Sequence, residues 1–267
     1  MSLVVDATNY MTRLGDTVPT SSLFSLTFWC KRDTDTGATE CPLNLSLTTS
    51  DYETRISTAD RWVVQGAGYG ASAAFGPNPV AVGTWRYLFM TKTTSAPGHH
   101  LIVKELSDGD SAFGGSVDLS SGSGLSDVAV NNIYIGAGRP AQGFPFLGKI
   151  TCVKLWTGVV ISDANALTER STRNITTNTG NIFANWQFNS GALTTDSSAN
   201  AKTLTPVLSP TYSSEEPTAL GSAASPTATI RKRRDLMGYA AMAAPALEAF
   251  GRIFARSSAG LMLPQGA

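Results

Sequence analysis

Apolar and polar residues alternate in short segments along the first two hundred residues. Between residues 24 and 31, Phe24, Leu26 and Phe28 occupy every second position. The same period recurs in the segments 85–90, 101–103, 133–135 and 184–188. Because successive side chains of a strand point to opposite faces, this pattern predicts two-faced strands. Many short strands separated by Gly, Ser, Asn, Asp and Pro predict an antiparallel sandwich or jelly roll.

The segment from Phe144 to Trp156 departs from this alternation. Its apolar positions change face between Ile150 and Val153. Such a change predicts a β-bulge, which bends a strand in a curved sheet. Shortly afterwards, Ser162 has the chemistry of an N-cap and predicts one short helix over about 163–170.

Short segments follow one another in a particular order: Val4–Tyr10, Phe24–Lys31, Gly83–Met90, His100–Lys104, Asn132–Gly136, Phe144–Trp156, Ser162–Leu167, Phe183–Phe188 and Thr195–Asn200. This order resembles that of the laminin-G-like, concanavalin A-like lectin/glucanase superfamily. Together the segments cover about Leu3 to Val207. The resemblance implies a concanavalin A-like jelly roll, a β-sandwich with one short helix. Similar domains occur as accessory domains of phage virion proteins, and lectin-like domains often bind sugar and calcium at loop ends.

Composition predicts three parts in the chain. Residues 1–207 form one sandwich domain, large enough to bury roughly 70% of the surface of its unfolded chain. Residues 208–229 are rich in Pro, Ser and Glu and are expected to form a linker. Residues 230–267 form an extended, Ala-rich tail with six Lys and Arg against two Asp and Glu, although the whole chain is formally neutral.

The tail is predicted to dock onto a protein partner. Its docking residues are Arg231, Lys232, Arg233, Arg234, Leu247, Phe250, Ile253 and Phe254. A helix after Pro245 would place three of the apolar residues on one stripe, and twelve residues make a helix that is marginal alone. The expected partner is a shell or capsid protein, or sister subunits in a homo-oligomer. Phosphate contact by the four basic residues would be weak and salt-sensitive, and a membrane surface, a processing site and a frayed tail remain open alternatives.

The acidic residues do not form the catalytic pattern of the glucanases in this superfamily. That pattern is E-x-D-x-x-E on one strand, with two carboxylates about 5 to 5.5 Å apart. No such triplet occurs, and we expect Glu53 and the other glutamates to have no partner at the required spacing. We therefore expect no enzymatic activity, with glycoside hydrolysis kept as an alternative.

Candidate ligand-binding residues lie in predicted loops. Tyr69 and Phe75 fall in the loop-rich stretch 64–82, and Phe144 and Phe146 flank Pro145. We expect these four aromatic residues at an exposed rim that contacts a glycan. The five tryptophans lie on predicted strands, where packing in the core is the default role.

Two acidic loops begin like calcium-binding loops. Asp33 and Asp35 form one pair, and Asp108 and Asp110 form the other. Alternating carboxylates can face one hard cation, but the twelfth position counted from Asp33 is Asn44 rather than Glu. Calcium and plain polar turns both remain open, and no other cofactor is expected.

Three cysteines and the N-terminal sequence bear on the compartment. Cys30 and Cys152 lie on predicted strands and are expected to be buried thiols, whereas Cys41 is placed in a loop and a Cys30–Cys41 disulfide stays open. The first residues do not resemble a signal peptide. The expectation is synthesis in a cytoplasm, followed by a place on a virion or particle surface.

Two classes of function follow from these observations. The first is a non-enzymatic accessory protein of a large assembly, most simply a phage capsid-decoration or tail protein that displays the sandwich and docks through its tail. The second is a carbohydrate-binding, lectin-like adhesion module that recognises a surface glycan through its loops.

Overall fold

Fifteen strands and one α-helix make up the described part of the chain. The computed structural model describes residues 1–19, 23–47, 50–66, 73–76, 79–93, 99–120, 129–139, 143–189 and 192–220. The strands are β1 (Ser2–Val5), β2 (Tyr10–Val18), β3 (Phe24–Arg32), β4 (Glu40–Leu47), β5 (Ser50–Ile56), β6 (Trp62–Gln65), β7 (Ala73–Phe75), β8 (Trp85–Thr93), β9 (His100–Ser107), β10 (Gly115–Ser120), β11 (Val130–Ile135), β12 (Gly148–Thr157), β13 (Ile182–Trp186), β14 (Thr205–Val207) and β15 (Thr211–Ser213). The helix α1 spans Asp163–Glu169, and single 3₁₀ turns lie at Thr179–Asn181 and Thr218–Leu220.

The strands form two antiparallel sheets packed as a sandwich. The eight-stranded sheet has the order β10-β9-β8-β3-β12-β1-β15, with β13 also paired to β12. The seven-stranded sheet has the order β14-β2-β11-β4-β5-β6-β7. Their facing apolar residues form one central core, which includes Phe28 of β3, Leu45 of β4 and Tyr52 of β5. The predicted antiparallel sandwich is confirmed.

The outer face of the eight-stranded sheet carries a second apolar layer. Trp29 and Tyr87 lie there with ring centroids 5.1 Å apart, in a cluster that also contains Cys152. Leu167 of α1 packs against this cluster, and Leu220 does so from the end of the described chain. Alternate residues of β3 therefore pack in two different apolar layers, because both faces of the strand are covered.

The bulge predicted in β12 is confirmed. The pairing of β12 with β3 shifts between Thr151 and Lys154, and Cys152 has a φ of 52°. The extra residue lets Ile150 and Val153 both reach the central core, while Cys152 turns to the outer cluster.

The predicted helix and its cap are also confirmed. α1 begins after Ser162, whose hydroxyl oxygen accepts a hydrogen bond from the backbone N–H of Asn165 at 3.2 Å. This contact satisfies one of the backbone donors that the first turn leaves without an intrahelical partner. No helix among the described residues has the length and apolar character needed to cross a membrane.

The prediction of a linker from residue 208 is wrong for residues 208–220. β15 pairs with β1, with Ser213 opposite Ser2, and Glu215 forms ion pairs with Lys31 and Lys149. The Pro- and Ser-rich composition of residues 208–220 is typical of a linker. It does not reveal that the backbone of β15 pairs with β1 near the N-terminus. The sandwich extends at least to Leu220.

The placement of Cys41 in a loop is also wrong. Cys41 lies in β4, and all three cysteines are buried free thiols, so no Cys30–Cys41 disulfide forms. Burial raises the pKa of the Cys41 thiol well above its ordinary value, and the charge of Glu53 raises it further. A thiol held in this state is a poor nucleophile.

Candidate functional site

A polar cluster lies on the outward face of the seven-stranded sheet. We call it the sheet-face cluster; its members are Asn44, Asp51, Glu53, Arg55, Arg139 and Phe144. In β4 and β5 the neighbours Leu43, Leu45 and Tyr52 point into the central core, so the alternate residues point outward. Asn44 and Glu53 are opposite each other in the pairing of the two strands.

The base of the cluster is a layer of buried polar groups. Asn44 Nδ2 donates a hydrogen bond to Glu53 Oε2 at 2.8 Å, and the other carboxylate oxygen of Glu53 lies 3.1 Å from Arg55 Nε. Asp51 Oδ2 lies 3.5 Å from Arg139 Nε. Glu53 has an exposed fraction of 0% and Asp51 of 2%. Each buried carboxylate therefore faces a guanidinium group, which compensates for the loss of its hydration.

The top of the cluster presents two guanidinium groups and an aromatic ring. Both arginines and Phe144 are half-buried. The Arg55 guanidinium lies 5.5 Å from the centroid of the Phe144 ring, and its Nη2 donates to Gln65 Oε1 at 2.7 Å. Contact of a cation with a ring face is favourable and fixes both groups. Gly138 N–H donates to the Phe144 carbonyl at 2.9 Å and holds the loop that carries the ring.

The electrostatics of Glu53 follow from its position. Burial raises its pKa to about 6; the Arg55 charge opposes this shift and the Asp51 charge adds to it. At pH 7 the Glu53 carboxylate is therefore still mostly ionised and faces the Arg55 guanidinium. The charged base holds the arginines and the ring in one arrangement before any ligand arrives.

The Asp51–Glu53 pair is not among the residues predicted from the sequence. Glu53 is expected there to have no catalytic partner, whereas Asp51 lies two residues earlier on the same face of β5. The alternation Asp51-Tyr52-Glu53 was the signal that could have found it. Because both carboxylates are buried and each faces an arginine, they act as anchors for the arginines.

The four aromatic residues predicted at the rim lie in different environments. Phe144 belongs to the sheet-face cluster. The exposure predicted for the other two described residues is wrong, because Phe75 is 4% exposed and stacks on Trp62, and Phe146 is 0% exposed in the central core. Phe144 and Phe146 are two residues apart on either side of Pro145, and only the first remains outside the core. Tyr69 lies outside the described residues.

The acidic loops use their carboxylates within the protein. Asp33 forms an ion pair with Lys149, and Asp35 accepts hydrogen bonds from Arg32 and from the backbone of Gly37. Asp108 accepts from the backbone N–H groups of Thr218 and Ala219, and Asp110 accepts from that of Ser107. Within the described ranges, no group of three or more His, Cys, Asp or Glu residues could hold a metal ion. The donor sets present at these two loops do not fit a calcium site.

The predicted docking residues of the tail all lie outside the described residues. They are Arg231, Lys232, Arg233, Arg234, Leu247, Phe250, Ile253 and Phe254. Their role stays a prediction.

Comparison with known proteins places the fold. No protein-family model matches the chain, and no curated protein sequence does. Among solved structures, a "putative carbohydrate binding protein" from Bacteroides ovatus matches with a TM-score of 0.52 and 14% identity, over 79% of this chain and 58% of that chain. Domains LG4-5 of the mouse laminin α1 chain match with a TM-score of 0.44 and 17% identity, over 58% of this chain and 40% of that chain.

A third match is to an enzyme. Trypanosoma rangeli sialidase matches with a TM-score of 0.39 and 15% identity, over 56% of this chain and 22% of that chain. This chain thus spans about half the length, or less, of the first solved structures that it matches. The two-sheet topology shows an antiparallel β-sandwich, and the Bacteroides ovatus structure shares its fold over 79% of this chain. At this level of identity the likeness concerns the fold alone.

Proposed function

We propose that this chain is a non-catalytic, lectin-like module that binds a carbohydrate through the sheet-face cluster. One observation carries the proposal: on the outward face of a sheet, buried carboxylates face two partly exposed guanidinium groups, and one of these, that of Arg55, lies 5.5 Å from the Phe144 ring centroid. The fold shared with the Bacteroides ovatus protein supports it.

The chemistry of the cluster suits a sugar. A sugar presents hydroxyl groups at its edge and C–H groups on its ring faces. Guanidinium groups donate hydrogen bonds in a fixed, planar geometry, and an aromatic ring supplies apolar contact. Since the ion pairs with Asp51 and Glu53 already restrict Arg139 and Arg55, less side-chain entropy is lost when a ligand binds.

The same geometry argues against hydrolysis. A retaining glycosidase needs two carboxylates that flank the scissile bond about 5 to 5.5 Å apart and reach it. Asp51 and Glu53 are enclosed beneath the arginines and cannot flank a bound sugar. We therefore propose binding without turnover.

The proposal is tested by replacing the exposed ring. The full chain is screened on a glycan array, and the affinity for the strongest glycan is measured by titration calorimetry for the wild type and for Phe144→Ala. We expect the substitution to weaken binding about tenfold or more, equivalent to about 1.4 kcal/mol.

The chain offers a matched control in Phe113. This phenylalanine is also half-buried, and it also has a cation over its ring, with Lys104 Nζ 5.9 Å from the ring centroid. It packs on Phe89 of the eight-stranded sheet, away from the sheet-face cluster. Phe113→Ala should leave the affinity within about twofold, a change of roughly 0.4 kcal/mol. Equal losses in the two variants, or no glycan bound by the wild type, would refute the proposal.

We also propose that residues 230–267 attach the sandwich to a larger assembly, such as a phage virion, at whose surface the sandwich is displayed. The basic run 231–234 and the apolar stripe that follows it support this second function. Size-exclusion chromatography with light scattering compares the full chain with a variant that ends at Leu220. If sister subunits are the partner, the full chain is oligomeric and the truncated variant is monomeric; the same number of subunits in both would exclude sister subunits.

A further inference from the structure

A cleft of about 260 Å³ opens beside β13, on the side of the sandwich away from the sheet-face cluster. Its polar lining includes Asn174, Thr179, Asn185 and Ser198, and Ile175 and Ile182 contribute apolar surface. None of the described residues that line it carries a charge. The volume is near the lower end of the range for small-molecule sites and suits a ligand of about one ring.

One wall of the cleft is fixed by a buried ion pair. Lys154 Nζ bonds to Glu169 Oε2 at 2.7 Å and also donates to the carbonyls of Thr172 and Asn174. Glu169 Oε1 accepts from the backbone N–H groups of Thr176 and Thr177, each at 2.7 Å. These bonds hold the segment 172–177, which would otherwise have little regular structure to support it.

The opposite wall is fixed by the carboxylate of Asp196. It accepts hydrogen bonds from the backbone N–H groups of Asn185 and Ser198 at 2.8 Å and from that of Lys202 at 2.7 Å. Ser198 Oγ donates to the same carboxylate at 2.7 Å. Both walls are thus held rigidly by buried groups whose hydrogen bonds go mainly to loop backbone, as expected of a preorganised site.

Asn185 supplies the group that points to a ligand. The residue is 3% exposed, and its Nδ2 donates to the carbonyl of Arg173 at 3.2 Å. Its Oδ1 has no hydrogen-bond partner among the described residues. A buried acceptor without a hydrogen bond lowers the stability of the folded chain by about 1 to 3 kcal/mol. A ligand that donates a hydrogen bond to it would recover that free energy on binding.

We infer that this cleft is a binding site for a neutral, polyhydroxylated ligand the size of one sugar ring. Asn185 Oδ1 is almost enclosed, so a small rotation of the amide group brings it to the cleft, where a ligand hydroxyl donates to it. The C–H groups of the ligand pack against Ile175 and Ile182. The absence of charge from the lining disfavours ionic ligands, because an ion would lose hydration without gaining a partner. The inference is independent of the sheet-face cluster, which lies on the other sheet.

The test uses nuclear magnetic resonance of the ¹⁵N-labelled full chain. Methyl glycosides of glucose, galactose and N-acetylglucosamine are each added up to roughly 50 mM, since ligands of this size bind in the millimolar range. Sodium acetate serves as the charged comparison. We expect saturable shifts of the Asn185 side-chain amide and the Ser198 backbone amide with at least one glycoside, and none with acetate.

Two substitutions locate the binding. Ala199 lines the cleft and is exposed, so Ala199→Phe introduces a ring at its rim without removing a polar contact. Thr195→Phe adds the same ring at an exposed position outside the lining. Ala199→Phe should abolish the shifts, whereas Thr195→Phe and Phe144→Ala should retain them. The inference is overturned if no glycoside gives saturable shifts, if Ala199→Phe leaves them intact, or if Phe144→Ala removes them.

Discussion

At the scale of single residues, the most informative groups are charges buried where apolar residues would be expected. Lys154 and Glu169 are enclosed together, and every donor or acceptor of the pair that the structure describes meets a partner in the protein. Burial acts to raise the pKa of Glu169, but the hydrogen bond and charge of Lys154 outweigh it and hold the pKa below its ordinary value. The pair is therefore ionised and locks the segment after α1 onto β12.

The first prediction concerns this pair. Glu169→Gln should lower the free energy of unfolding by about 3 to 5 kcal/mol, because it leaves the ammonium group of Lys154 buried without its counter-ion. Asp163→Asn is the matched control, since it removes a carboxylate from the same helix whose partner Lys104 is at the surface. It should cost at most about 1 kcal/mol. Urea denaturation of both variants measures the difference, and similar losses would contradict the argument.

The second prediction concerns the pH dependence of stability at Glu53. Because its pKa is raised from 4.5 to about 6 in the folded chain, protonation favours folding. Its contribution is fully present below pH 4.5 and is lost as the pH rises through 6, by up to about 2 kcal/mol. Glu53→Gln should remove this part of the pH dependence. Urea denaturation at pH 4.5, 6 and 7.5 measures the free energy of unfolding of the wild type and of Glu53→Gln. If this free energy changes with pH to the same extent in both chains, Glu53 is not the titrating group.

At the scale of elements, a close contact after β11 positions the loop that carries Arg139 and Phe144. Gly136 has a φ of 91°, its N–H donates to the carbonyl of Pro42, and its carbonyl accepts from Phe146 N–H. A Cβ at this position would lie 2.6 Å from Val5 Cγ1. Only glycine combines this backbone conformation with this approach.

The third prediction separates the cost of the positive φ from the cost of the close contact with Val5. Gly136→Ala and Gly109→Ala both place alanine at a φ above 90°, but a Cβ at Gly109 would meet nothing within 4 Å. The two should share the cost of backbone strain, and Gly136→Ala should lose a further 1 to 3 kcal/mol or so from overpacking. Thermal and urea unfolding measure both variants. Equal losses would mean that the contact with Val5 relaxes without cost.

The strands could be predicted from the sequence because their signals are local. The alternation in β3, the bulge in β12 and the Ser162 cap each reside within a few residues. The pairing of β15 with β1 could not be predicted, because the two strands are about 210 residues apart in the sequence. In addition, the segment that contains β15 has the composition of a linker. The sheet-face cluster was predicted only through Phe144, since its buried base depends on the register of β4 and β5.

At the scale of the whole molecule, the two sheets differ in what covers their outer faces. The central core joins the sheets, and a second apolar layer with α1 covers the eight-stranded sheet. What remains distinctive is the outward face of the seven-stranded sheet, where polar groups are buried beneath two arginines and a ring. Among the described residues, this contrast between the two outer faces is consistent with the ligand-binding role proposed for the sheet-face cluster.

Carbohydrate binding at the sheet-face cluster is tested most directly by a crystal structure of the full chain with the glycan selected on the array. We expect a sugar ring against Phe144, with a hydroxyl group about 3 Å from the Arg55 or Arg139 guanidinium. A glycan bound elsewhere, with the sheet-face cluster unoccupied, would contradict it.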